Sequence, residues 1–260
     1  PAMDPVLQAY TGLIAENVGE DGIPHRTPII AIDMSRGMYS FGAVAAALHA
    51  REKLPQGRHI EASLMQAAAG LQVIRMLGSY LEAGAPRPIS PPSGVYKTAD
   101  GWISITVVRP FEWEAYCRAL DLPQVHAESR FATTEDRQAH AEELNAVLRP
   151  LLAAGTTADW SARLATQRVM HEALNSYTQF LQQPHVAASG AVAWIDHPAV
   201  PQPMPLPNLI GAPPFESGTA RATAPRKGEH GAAILREHGF TAAAIADLAA
   251  QGIVKLEDAA

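Results

Sequence analysis

The sequence has 260 residues, is 47% apolar and carries a formal net charge of -6 at neutral pH. That is enough apolar content to bury a sizeable core, in one large or two small domains. An acidic balance without a basic block argues against nucleic acid or an anionic membrane as the main partner. The absence of any run near 18 apolar residues excludes a spanning helix, and the single Cys117 excludes an intrachain disulfide or a cysteine-based zinc site, so a reducing cytoplasm is the expected compartment.

In chain order, residues 5–15 have helical spacing, with Asp4 placed as an N-cap and Pro5 at the first helical position. Residues 17–28, NVGEDGIPHRTP, read as an exposed loop able to cover a site. Residues 28–32 read as a short buried strand or an extended lead-in, and 34–51 have the alanine, leucine and aromatic content of a buried helix. Asp33 stands where the chain enters that helix. Free backbone N-H groups and the helix dipole stabilise an anion there, and two roles are open: an N-cap or a nucleophile. Arg36, in place of Glu or Gln, removes the reciprocal capping box. Gly37 and Gly42, each costing roughly 1 kcal/mol against Ala inside a helix, point to a close approach of backbone or ligand.

After the central helix, LPQGRH is a turn, HIEASL over 59–64 alternates as a short strand, and 65–82 resumes helical spacing. Residues 84–94, GAPRPISPPSG, read as a linker. GVYKTADGWISITVV is a hairpin turning at Asp100-Gly101, followed by a helix with Trp113, Tyr116 and Leu120 on its inner face. Two more helices cover 134–152 and 157–167, the second with Thr156 and Thr157 as caps, while Asp136, Arg137, Glu142 and Glu143 form a solvated face. A helix at 176–182 and a strand at 191–195 precede a proline-rich return to residue 214, which reads as an irregular strap. Two amphipathic helices, each ended by Gly, close the chain.

There is no G-x-G-x-x-G, Walker or G-x-S-x-G sequence. HEALN at 171–175 misses a zinc motif because Asn175 replaces the second His, and the ten His lack ligand spacing, so no metal is expected.

The order of several short runs resembles the class III CoA-transferases, which include formyl-CoA and carnitine-type transferases and α-methylacyl-CoA racemases. Asp4, Gln8, Ala9, Thr11, Gly12 and Leu13 match that family's D-x-x-x-Q-A-x-S/T-G-L run. Asp33, Gly37, AALHAREKLPQGRHIEASL from Ala46, and Gln66 match its catalytic core. Gly94, Tyr96, Thr98, Asp100 and Gly101 match its hairpin. Asp159-Trp160, Pro184 to Val186, and Gly228 to His230 with Ile234, Leu235 and Gly239 complete the series.

The resemblance implies an α/β fold, part of a class III large domain plus a small α+β domain, in a family of interlocked homodimers. It implies a large-domain part over 1–83, a Pro-rich linker over 84–92, the small domain over 93–170, and a linker with a return to the large domain over 171–260. It implies CoA transfer between carboxylic acids, with Asp33 as the covalent nucleophile, Asp4 and Leu64 at the substrate and CoA site, a CoA thioester as substrate, and no tightly bound cofactor. Two departures stand beside it. The family's Rossmann-like half would precede residue 1, so either a fragment or a half supplied from elsewhere is expected, and ISPPSG at 89–94 replaces the glycine-rich loop of formyl-CoA transferases. Racemisation is the runner-up activity and a non-catalytic dimerisation fragment the third reading. Racemising members place a proton-exchanging His where this chain has Met3, which favours transfer.

Overall fold

The computed structural model describes residues 3–19, 22–54, 56–84, 90–198 and 200–256. In chain order it contains helices α1 (Asp4–Tyr10), α2 (Leu13–Glu16), α3 (Ala31–Arg51), α4 (Leu64–Leu71) and α5 (Val73–Leu81). Strands β1 (Gly94–Lys97) and β2 (Trp102–Thr106) follow. Next come α6 (Pro110–Ala119), α7 (Pro123–Ala127), a 3-10 turn (Ser129–Phe131), α8 (Thr134–Ala139), α9 (Ala141–Ala154), α10 (Thr157–Thr166) and β3 (Met170–Ala173). The chain closes with α11 (Tyr177–Leu181), α12 (Pro184–Ser189), β4 (Val192–His197), β5 (Val200–Pro207), α13 (Gly231–Glu237) and α14 (Ala242–Ala250). The middle of the expected linker, 85–89, lies outside the described residues. By contacts the chain divides into two units, Pro1–Gly94 with Gln124–Asn145, and Val95–Pro123 with Ala146–Ala260. No helix among the described residues is long and apolar enough to cross a membrane.

In the first unit, the helix expected over 5–15 is broken. Gly12, at φ 90°, takes a left-handed turn that carries the chain from α1 into α2. The strand expected over 59–64 is not formed. Ser63 instead caps α4, accepting from the Gln66 N-H while the Gln66 side chain accepts from the Ser63 N-H, a reciprocal S-x-x-Q box legible in the sequence. Gln72 separates α4 from α5 and donates to the Thr11 hydroxyl at 2.9 Å, tying that break to the end of α1. Leu7, Ile32 and Ala68 form the buried cluster where α1, α3 and α4 meet. Beyond it, α3 exposes Met34, Met38 and Phe41, and α5 exposes Ile74, Tyr80 and Leu81. A Cβ at Gly37 or Gly42 would meet nothing within 4 Å, so among the described residues the close approach expected at these glycines is not made. Arg137 corrects the expected solvated face. It is only 2% exposed, and its guanidinium donates to the carbonyls of Phe131 and Ala132 and to the Thr134 hydroxyl.

In the second unit, β1, β2 and β3 form a sheet in that order. β2 runs antiparallel to β3 with Ile103 opposite Ala173 and Ile105 opposite His171. The two isoleucines alternate inward, while Trp113, Tyr116 and Leu120 of the following helix are buried as their spacing requires. His171 and Glu172 thus sit on a strand, not on the helix that a zinc-binding H-E-x-x-H uses to bring its two histidines to one face. β3 was hidden because it is four residues of low strand propensity.

The proline-rich return is also more regular than expected: β5 pairs antiparallel with β4, Ile195 opposite Met204 and Ala193 opposite Leu206. Prolines 201, 203, 205 and 207 fall at every second position, and the Asn208 N-H, of opposite parity, donates to the Ala191 carbonyl on the β4 side. Pro205 and Pro207, in the regular part of the ladder, therefore turn their missing donors away from β4, and the ladder forms without them.

Asp100 explains the hairpin motif. Its Oδ1 accepts from the Thr157 N-H at 2.8 Å and the Thr157 hydroxyl at 2.8 Å, so the hairpin turn caps α10 from 57 residues upstream, beside the local cap from Thr156. Those hydrogen bonds, the Thr157 backbone donor foremost, hold the Asp100 carboxyl below its ordinary value. A carboxyl so lowered contributes stability that is full above its unfolded pKa and is lost as pH falls through the folded one. Asp100→Asn should therefore lower the denaturation midpoint at pH 7, and the gap to the wild type should close as pH falls below the ordinary carboxylate range. Denaturant melts in steps from pH 7 to pH 3 measure it, and a gap that stays constant with pH would contradict this account.

Candidate active site

The N-terminus of α3 is built by side chains far away in sequence. Its N-cap is Ile30, which has no capping side chain. The N-H groups of Ile32 and Asp33 instead donate to Asp4 Oδ2, at 2.8 and 3.1 Å. Asp4 Oδ1 accepts from Gln8 Nε2 at 2.6 Å. The Gln8 amide in turn is fixed by the segment leading into α3: its Oε1 accepts from the Thr27 N-H at 3.0 Å and its Nε2 reaches the Ile29 carbonyl at 3.3 Å. Asp4 and Gln8 are buried, at 2% and 1% exposure.

Two expectations are corrected here. Asp4 is not the cap of its own helix, since the extended residue before α1 is Met3; it caps α3. Asp33 is not a cap either, because α3 begins at Ala31 and Asp33 occupies its first turn; in place of a strand or extended lead-in over 28–32, residues 28 and 29 form a bend and the Ala31 N-H donates to the Ile29 carbonyl at 2.9 Å. The consequence for Asp33 is chemical. Its N-H is bound by Asp4, but its exposed carboxylate takes no hydrogen bond or ion pair among the described residues. A carboxylate with no partner, beside the positive end of a 21-residue helix, is free to bind a cation or attack an electrophile.

Leu64, the first residue of α4, packs against the Leu7, Ile32 and Ala68 cluster, so the structure brings it to the same junction as Asp4 and the first turn of α3. Ile32 is fully buried there, and its truncation to Ala would cost about 2–5 kcal/mol by ordinary core energetics. Gln8 and Thr27 were not recognised as part of the site. The signal was present for Gln8, whose i, i+4 spacing from Asp4 puts both on one helix face; Thr27 gave none. Among the described residues no cluster of His, Cys, Asp and Glu could hold a metal ion. Among the described residues, an open cavity of about 620 Å³ is lined in part by Thr11, Gln72 and Arg75, and another of about 290 Å³ lies between α3 and the head of α4.

The model of CoA-transferase family III matches residues 1–231, which include Asp4, Asp33 and Leu64. The chain belongs to CoA-transferase family III. This CoA-transferase chain is 30% identical over 261 residues to an acyl-CoA transferase of Fusarium pseudograminearum, covering 96% of this chain and 57% of the relative. It is 26% identical over 259 residues to the human succinyl-CoA:glutarate CoA-transferase, covering 96% and 59%. Its fold is that of the Mycobacterium tuberculosis protein Rv3272, with a TM-score of 0.70 at 24% identity, covering 81% of this chain and 57% of that one. The chain thus spans somewhat less than three fifths of the length of these two curated relatives.

The orientation of Gln8 makes a test of the α3 cap. The Thr27 N-H can only donate, so Gln8 must turn its oxygen to Thr27 and its nitrogen to Asp4, and both Asp4 oxygens must accept. Asn replaces Asp at an ordinary cap at little cost, but Asp4→Asn would set one amide nitrogen against another. Asp4→Asn should therefore cost about 1–3 kcal/mol, the penalty of an unmet buried donor, and Asp4→Ala at least as much. Equilibrium urea unfolding measures both, and an Asn variant as stable as the wild type would refute the donor order.

Proposed function

We propose that this chain carries the nucleophile of an acyl-CoA:carboxylate CoA-transferase, and that the nucleophile is Asp33. The observation that carries the reading is the division of labour at the head of α3: Asp4 takes up the helix N-H groups, leaving the Asp33 carboxylate exposed and without a partner. The human relative named above, by its name, moves CoA between succinate and glutarate, and acids of that kind are the substrates we infer for this protein.

The steps balance without a metal. The Asp33 carboxylate attacks the thioester carbonyl of the donor acyl-CoA, a C-O bond forms, and the C-S bond breaks to release CoA thiolate, leaving a mixed anhydride. The thiolate then attacks the Asp33 carbonyl and expels the donor acid, giving a thioester between Asp33 and CoA. The acceptor carboxylate attacks that thioester, re-forming an anhydride, and the thiolate takes its acyl group as the new acyl-CoA while Asp33 returns as carboxylate. Dividing one acyl transfer into these steps is covalent catalysis, and the thioester energy is conserved throughout. On this reading Leu64 packs beside the CoA arm and Asp4 positions Asp33 through its backbone. The division into a large-domain part (1–83), linker (84–92), small domain (93–170) and return (171–260), an interlocked homodimer and a cytoplasmic location complete the proposal.

In the full-length protein, Asp33→Asn should leave the melting temperature unchanged, since the Asp33 side chain makes no bond among the described residues, and should lower CoA exchange on the order of a thousandfold or more. Hydroxylamine added during turnover should leave a hydroxamate on the peptide that contains Asp33. Normal exchange by the Asn variant would exclude Asp33 as the nucleophile.

A further inference from the structure

Arg36 follows Asp33 by one turn on α3, and the spacing continues through Tyr39 and Ala43. Successive side chains so spaced stand about 5–6 Å apart at Cβ on neighbouring parts of one face. Of that face Arg36, Tyr39 and Ala43 line the cavity of about 290 Å³, with Asp33 one turn beyond its lining, and the facing wall includes Ile60, Ala62, Ala67 and Gly70. The wall is held in place. Ser63 and Gln66 are locked in their capping box, and the Tyr39 ring lies so close to α4 that a Cβ on Gly70 would stand 2.7 Å from its hydroxyl oxygen. Small and apolar side chains dominate this lining, which suits a short methylene chain.

Among the described residues Arg36 is the one cation that lines the cavity. Its Nε donates to the Ala62 carbonyl at 2.7 Å, which holds the guanidinium at the wall, and among the described residues its two terminal nitrogens take no partner. No ion pair joins it to Asp33, although their i, i+3 spacing would allow one. The acid in the lining, Glu61, faces His59 at 3.3 Å. An arginine anchored by Nε with its outer N-H groups free is arranged to receive a carboxylate.

We infer that Arg36 binds the distal carboxylate of a dicarboxylic acid whose other carboxyl group is joined to Asp33, so that the α3–α4 cavity selects short dicarboxylates over monoacids. The inference rests on Asp33 as the acylated residue. With ordinary C-C bond lengths, two or three methylenes separate the carboxyl carbons by about 4–5 Å, which matches one turn of helix between the two side chains.

The test compares glutarate with pentanoate, a monoacid of the same length, by ligand-observed NMR titration of the full-length wild-type, R36M, R36K and D33N proteins. Glutarate should bind the wild type more tightly than pentanoate does, and R36M should weaken glutarate roughly ten- to hundredfold while leaving pentanoate unchanged. R36K, which keeps the charge but loses the fork, should fall between, and it supplies the comparison if R36M fails to fold. Glutarate binding unchanged in the Arg36 variants, equal losses for both acids, or no preference for glutarate in the wild type would each overturn the inference. The functional reading fails separately: normal CoA exchange by D33N would remove Asp33 from the chemistry, and the binding comparison, which needs no turnover, would still decide whether Arg36 reads the carboxylate.

Discussion

The geometry at the head of α3 depends on one buried carboxylate that can only accept. Asp4 is surrounded by donors, two backbone N-H groups on one oxygen and the Gln8 amide on the other. Its backbone donors belong to the first turn of α3 and its amide donor to α1, and Gln8 in turn accepts from the Thr27 N-H, so the Asp4–Gln8 pair fixes α1, the lead-in at Thr27 and the first turn of α3 relative to one another. The apolar contacts of Leu7, Ile32, Leu64 and Ala68 lie next to it and supply non-directional attraction, whereas the hydrogen bonds set the register. Burying a carboxylate is unfavourable unless its hydrogen bonds are made, so the arrangement tolerates little displacement. That rigidity is what a reacting group in the first turn of α3 needs, since small errors of position cost large factors in rate.

The same device recurs in the second unit. Asp100, in a hairpin turn, serves Thr157 at the start of α10 much as Asp4 serves α3. In both cases an acid from a distant segment supplies what a local Ser or Thr usually supplies. The difference lies in what remains nearby: α10 also has Thr156 as a local cap, whereas α3 has none, and the acid in its own first turn is left without a task in the fold.

Much of this was legible in the sequence where the cause is local. The inward stripe of Trp113, Tyr116 and Leu120, the Thr156 cap and the glycines that end the last two helices follow from spacing and from single-residue backbone preferences. The Asp33 carboxylate was found by its position near a helix start and by a family resemblance. What escaped was non-local. The start of α3 could not be placed to the residue because its capping group lies 28 positions upstream of Ile32. Arg137 reads as a surface charge until the carbonyls of Phe131 and Ala132 are seen to surround it. The alternating apolar pattern of HIEASL suggested a strand, but a strand needs a partner, and the Ser63–Gln66 box drew its end into a helix instead.

The alternate prolines of β5 have a consequence for how this molecule meets others. A strand with one unpaired side ordinarily offers a row of donors and acceptors on which a foreign strand can align, and that row is how sheets grow between chains. Here half of that vocabulary is missing on the outer side over the regular part of the ladder: Pro205 and Pro207, which face it, have carbonyls but no N-H groups to give. The β4–β5 ribbon is therefore insulated against strand-by-strand extension along β5. Any partner that meets the ribbon there must engage its side-chain faces, where Trp194 stands exposed.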